Sequence, residues 1–148
     1  MELVAQYEVV GLFNDDTRMR TQGWDDLVLR HLQGKLGLLY GRDGIQDARL
    51  PTHPFISSRI VAAVGFIQPK ELFHYYGDNF WAELLGPLGL LSYCPDLFTE
   101  HLNAGVYGLG KDATTREEEA HWQADSEAWK KYFAEEMPAL REKVKAIL

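Results

Sequence analysis

Three places in the chain hold residue types that could do chemistry together. Asn14-Asp15-Asp16 follows the apolar run 9–13. Adjacent carboxylates repel, and a hard divalent cation relieves that repulsion by accepting oxygen ligands. Side chains at the carboxyl ends of strands in open α/β sheets also face the ligand crevice. The same tripeptide makes ordinary solvated turns. His101 follows the apolar run 97–99. A neutral imidazole there could complete a cation's coordination, or simply be a histidine with a satisfied hydrogen bond. Asp78 lies in Tyr75-Tyr76-Gly77-Asp78-Asn79-Phe80-Trp81. A partly desolvated carboxylate at a helix start could act as a general base, and Asp is equally a plain N-cap. Tyr75, Tyr76 and Trp81 make an aromatic cluster around it, and such a cluster is more often core.

Elements must bring these residues together. The run 9–13 reads as a buried strand ending in the polar cluster 14–17. Gly23-Trp24-Asp25 opens a helix to about residue 32, stopped at Gly34. Residues 36–40 read as a strand, 41–54 as a loop rich in Gly, Asp and Pro, and 55–57 as a short strand. Ser57 or Ser58 could cap a helix over 60–64 that Gly65 ends. Asp78 is the expected N-cap of a helix over 79–85, stopped by Gly86-Pro87. Residues 90–94 and 97–99 are expected as two short strands around Pro95-Asp96, and 103–112 as a Gly-rich loop. From Thr114 a long amphipathic helical segment begins, which Pro138 kinks or divides. Trp122 and Trp129, seven apart, are expected on one face, as core or subunit interface. Strands alternating with helices give an α/β class.

Composition narrows the function classes. The 148 residues carry a formal net charge of −7, which argues against a general nucleic-acid binder. Cys94 is the only cysteine, so neither an intrachain disulfide nor a cysteine zinc cluster can form. No apolar run approaches the ~20 residues of a membrane span. The acidic start Met1-Glu2-Leu3 lacks a basic leader region. The expectation is a cytoplasmic protein.

Taken in order, these features resemble the catalytic half of an inverting, GT-A type glycosyltransferase of the broad family-two group, in a bacterial or phage-type subgroup. The acidic motif sits in Val10-Gly11-Leu12-Phe13-Asn14-Asp15-Asp16-Thr17-Arg18, and the helix step is Gly23-Trp24-Asp25. A segment Phe55-Ile56-Ser57-Ser58-Arg59 runs on to Gly65-Phe66, and Asp78-Asn79 precedes a helix. Tyr93-Cys94-Pro95-Asp96 and Glu100-His101 close the pattern, which covers roughly residues 8–103. The resemblance implies a reduced GT-A-like, half Rossmann-like domain with a mixed sheet over residues 1–112, and a C-terminal helical extension over 113–148 for packing or oligomerisation. It implies transfer of a sugar from a nucleotide-sugar to a hydroxyl acceptor with inversion. Asp16 and His101 would hold Mn²⁺ or Mg²⁺. Asn14, Asp15 and Arg18 would contact the donor, and Tyr76 and Trp81 the acceptor. Asp78 or Asn79 falls in the catalytic-base region. An amide cannot accept a proton at neutral pH, so the role falls to Asp78 or is lost.

In that family a nucleotide-binding half precedes the acidic motif, whereas here only residues 1–8 precede Val9. A half-sheet would expose a strand edge. The expectation is therefore a homo-oligomer or a partner chain that supplies the other half. Two other classes compete. A non-catalytic GT-A-like domain could bind sugar or serve assembly. Gly105 to Lys111 fits the spacing of a phosphate-binding P-loop, but Asp112 replaces the magnesium-binding Ser or Thr.

Overall fold

The computed structural model describes residues 4–73, 75–102 and 113–148. Its elements are β1 (Val9–Gly11), β2 (Thr17–Met19), α1 (Trp24–Leu32), β3 (Leu38–Arg42), β4 (Phe55–Ser57), α2 (Ser58–Val64), α3 (Gly77–Leu85), β5 (Leu91–His101), α4 (Ala113–Glu135) and α5 (Met137–Lys145). The strands form one five-stranded sheet in the order β1-β4-β3-β5-β2. Among the described residues β3 and β5 run parallel, while β1 and β4, β4 and β3, and β5 and β2 pair antiparallel. The class is α/β with a mixed sheet.

Strand alternation explains the core. Leu38, Tyr40 and Ile56 face one side, where they meet Ile60, Val61 and Val64 of α2 and Phe80, Trp81, Leu84 and Leu85 of α3. Met137, Leu140 and Val144 of α5 complete that cluster, so the last helix is built into the main core. Leu39, Phe55, Cys94 and Leu97 face the other side, against Val28 and Leu32 of α1. Because both faces of β3 are covered, its start reads as the unbroken apolar run Leu38-Leu39-Tyr40.

Several expected boundaries move. The two strands expected around Pro95-Asp96 are one, β5, with a bulge: Gly41 pairs with Cys94 and Arg42 with Phe98, so residues 95–97 are looped out of register. Proline has no amide hydrogen to give the ladder, which makes a bulge its natural place. Gly41 is required there: a Cβ would lie 2.7 Å from the carbonyl carbon of Leu97 and 2.8 Å from its Cβ. The polar stretch after Asp16 also yields a strand that alternation did not reveal, β2, paired to the last residues of β5. Ser57 precedes α2 but makes no capping hydrogen bond; its hydroxyl accepts from the Gly37 amide and donates to the Lys35 carbonyl. Asp78 is not a cap either, because α3 begins at Gly77, two residues earlier than expected, and Tyr76 takes the cap position. Pro138 falls in the first turn of α5 and divides the C-terminal segment as expected. Trp122 is 53% exposed, whereas Trp129 packs on the core, although seven-residue spacing puts the two on one face of α4. The outer strands of the sheet, β1 and β2, are three residues each, and β2 pairs only with residues 99–101 of β5. Among the described residues no helix is long and apolar enough to cross a membrane.

Candidate functional site

One cavity of about 720 Å³ collects most of the residues singled out above. Asn14, Asp15 and Asp16 enter it from the turn between β1 and β2, His101 from the end of β5, and Asp78 and Trp81 from α3. Tyr75, Tyr76, Ile67 and Gln68 line it from the segment before α3. Arg18 does not: it is exposed on β2, outside the lining. Strand alternation is the reason, since Arg18 points opposite to its neighbours Thr17 and Met19. Residues 103–112, including the P-loop-like run, lie outside the described residues.

The acidic turn is tied to the strand that carries His101. The Thr17 hydroxyl donates to the Asn14 carbonyl at 2.7 Å, and the Leu102 amide donates to the Asp16 carbonyl at 2.7 Å. This places His101 Nε2 3.2 Å from Asp16 Oδ2. The other Asp16 oxygen, Oδ1, is buried and has no hydrogen-bond partner among the described residues. A carboxylate oxygen removed from water without a donor is costly, and a cation or a donor from a bound molecule would satisfy it. One carboxylate and one imidazole are thus in position to share an ion. Among the described residues no three His, Cys, Asp or Glu side chains form a metal-holding group by themselves. An ion here would draw its remaining oxygen ligands from substrate and water, as Mg²⁺ and Mn²⁺ commonly do.

Two important neighbours were hidden in the stretch read as a plain loop. Asp43 is 2% exposed, and its Oδ1 accepts from the amides of Ile45, Gln46 and Asp47 at 2.7–2.9 Å. Its Oδ2 accepts from the Thr52 hydroxyl at 2.9 Å and lies 3.9 Å from His101 Nδ1, while its carbonyl accepts from the His101 amide at 3.0 Å. Burial pushes the Asp43 carboxyl up, but these donors outweigh it and hold the group below the usual range. His101 therefore stands between two carboxylates, Asp16 at 3.2 Å and Asp43 at 3.9 Å. His53 is 3% exposed and packs edge-on against His101, with ring centroids 5.1 Å apart. Burial, together with the neighbouring His101, lowers its pKa to about 4, so its imidazole is neutral at physiological pH. The signal for Asp43 was the dipeptide Asp43-Gly44, which marks a tight turn, and Gly44 does take a positive φ of 84°. Nothing in the sequence near His53 pointed to His101.

The opposite wall is built differently. Asp78 lies in the first turn of α3, half-buried, and its Oδ1 accepts from the Asn79 amide at 2.8 Å. Burial raises its carboxyl above the usual range against the opposing pull of that hydrogen bond and of His101. A carboxyl shifted that way is a better proton acceptor once ionised. Asn79 is half-buried beside it and is not among the cavity-lining residues. Trp81 is 1% exposed; its indole donates to the Ile67 carbonyl at 3.1 Å, which fixes the wall more than it offers a free ring. Tyr76 is half-buried in the lining and stacks on Trp129 with planes 7° apart. Comparison of the chain with protein-family models, with curated proteins and with solved structures finds no match.

Proposed function

We propose that this cavity is the transfer site of a metal-dependent, inverting glycosyltransferase of GT-A type, or of a subunit of one. The observation that carries the reading is convergence. Asp15, Asp16, His101, Asp78, Tyr76 and Trp81 come from separate parts of the chain and line one cavity of about 720 Å³. That is a size suited to a small-molecule ligand. In this reading Asp16 and His101 would hold Mn²⁺ or Mg²⁺, which would supply charge neutralisation at a departing nucleoside diphosphate. Asp15 supports that ligand set from the rim, and Asp43 stands behind His101, whose amide donates to the Asp43 carbonyl. Asp78 accepts the proton of the acceptor hydroxyl as its oxygen attacks the anomeric carbon from the face opposite the leaving group, so one displacement inverts the configuration. Tyr75 and Tyr76 give the acceptor an amphipathic wall.

Calorimetric titration with UDP and with GDP, with and without Mn²⁺, tests the reading. Metal-dependent binding that is lost in Asp16→Ala supports it. Binding unchanged in that variant removes Asp16 from the site. No binding by the wild-type chain at millimolar nucleotide overturns catalysis by this chain alone and leaves a non-catalytic or partner-dependent domain.

A further inference from the structure

We infer that Asp125, on the C-terminal helix α4, is a positioning residue for the acceptor wall: it holds the backbone at Phe73 and Tyr75 so that Tyr76 and the start of α3, with Asp78, stand at the cavity. The inference rests on the transfer-site reading above and adds α4 to that site. Asp125 is 2% exposed. Its Oδ1 accepts from the Phe73 amide at 2.9 Å and its Oδ2 from the Tyr75 amide at 2.7 Å. A buried carboxylate that receives two backbone donors is a strong, geometrically defined clamp. Two ring contacts flank it along the same helix: Phe73 lies 4.0 Å, centroid to centroid, from His121, and Tyr76 lies 6.0 Å from Trp129.

The clamped segment is one that would not hold its shape unaided. Tyr76 has φ 69°, the left-handed region that a tyrosine enters only against steric resistance from its Cβ. The residue nevertheless sets the entry to α3, because its carbonyl accepts from the Phe80 amide at 2.8 Å. A conformation of that kind persists only where its surroundings over-determine it, and α4 supplies those surroundings through Asp125 and Trp129. The segment held this way is one side of the cavity: Tyr75, Tyr76, Gly77 and Asp78 all line it.

Nuclear magnetic resonance of Asp125→Asn decides the matter with three readouts. Asn keeps one acceptor oxygen and loses the other. The Phe73 and Tyr75 amide signals should move, while core amides such as Leu38 and Ile60 stay in place. The carboxyl titration of Asp78 should shift toward the ordinary carboxylate range as its wall loosens. Mn²⁺-dependent UDP binding, which rests on Asp16 and His101, should change by less than about threefold, within the range of remote effects. Amide signals that do not move overturn the clamp. Amides that move while the Asp78 titration stays fixed overturn the positioning role and leave a packing contact. Absence of UDP binding in the wild-type protein counts against the transfer reading, and the two other readouts still decide the role of Asp125. Trp129→Leu, which removes the stack under Tyr76, should shift the Asp78 titration in the same direction and serves if Asp125→Asn does not fold.

Discussion

The two walls of the cavity are held by different physics. The wall with Asp16 and His101 is made at strand ends, and sheet hydrogen bonds tie it: Thr17 pairs with His101 across β2 and β5, and the His101 amide reaches Asp43. The wall with Tyr76 and Asp78 belongs to no sheet. It hangs from a side-chain carboxylate on α4 and from a ring stack, and it includes a tyrosine in a left-handed conformation. A backbone ladder is insensitive to most side-chain changes, whereas a wall held by a few side chains depends on each of them. The difference is that backbone pairing holds the first wall and a few side chains hold the second.

Substitutions can break or sharpen this contrast. The largest effect is expected from Asp78→Asn. If Asp78 is the base, turnover should fall by about 10²–10⁴ with nucleotide binding kept, as steady-state kinetics beside calorimetry would show. The same variant should melt higher than wild type at neutral pH. Burial raises the carboxyl's folded pKa, so the folded state holds its proton more tightly than the unfolded chain does. The stability this brings is present at low pH and is lost as pH rises through the raised value. Asn carries no such cost, so its advantage should shrink as pH falls toward the ordinary carboxylate range. Melting curves across pH that show no such convergence would contradict a desolvated Asp78.

Next is Gly41→Ala, aimed at the crossing that carries β5 toward His101. The added methyl meets the Leu97 backbone, which cannot move without breaking the bulge, and the loss should be about 3 kcal/mol or more in denaturant unfolding. Asp43→Ala removes the acceptor of three backbone amides and of the Thr52 hydroxyl, and should cost about 2 kcal/mol. It should also weaken metal-dependent nucleotide binding by about tenfold or more, because His101 loses its outer carboxylate. Equal nucleotide affinity would show that Asp43 only folds its own turn. The smallest effect should come from Tyr76→Gly. Relief of the left-handed backbone, about 1 kcal/mol, opposes loss of a stack of similar size, so the melting temperature should barely move. A large loss would mean that Tyr76 holds more than its own ring contact.

The first wall was the more legible one. The apolar run into Asn14-Asp15-Asp16 marked a strand end, and His101 after another apolar run marked a second, because strand and turn chemistry is local. Asp43 and His53 escaped because their importance comes from what lies across the sheet from them: a buried Asp in a turn looks like an exposed one in sequence. Arg18 stands outside the lining because it lies on a three-residue strand, β2, that arises in a polar stretch by pairing with β5. Asp78 was found for its aromatic neighbours, but its role as a cap was wrong. The chain instead enters α3 through Tyr76 in a left-handed conformation, which no propensity favours for tyrosine and which distant contacts sustain.

What the residues alone determined is the α/β alternation, the helix stops at glycine, the break at Pro138 and the separate clusters of carboxylate, imidazole and aromatic groups. Each rests on backbone sterics or on apolar periodicity within a few residues. The tertiary structure decided which clusters meet. It placed Asp16 beside His101 by pairing β2 with β5, and it set the Asp78 wall by docking α4 and α5 on the same core. Those meetings follow from burying both faces of β3 at once, a condition that belongs to the whole chain and to no single segment.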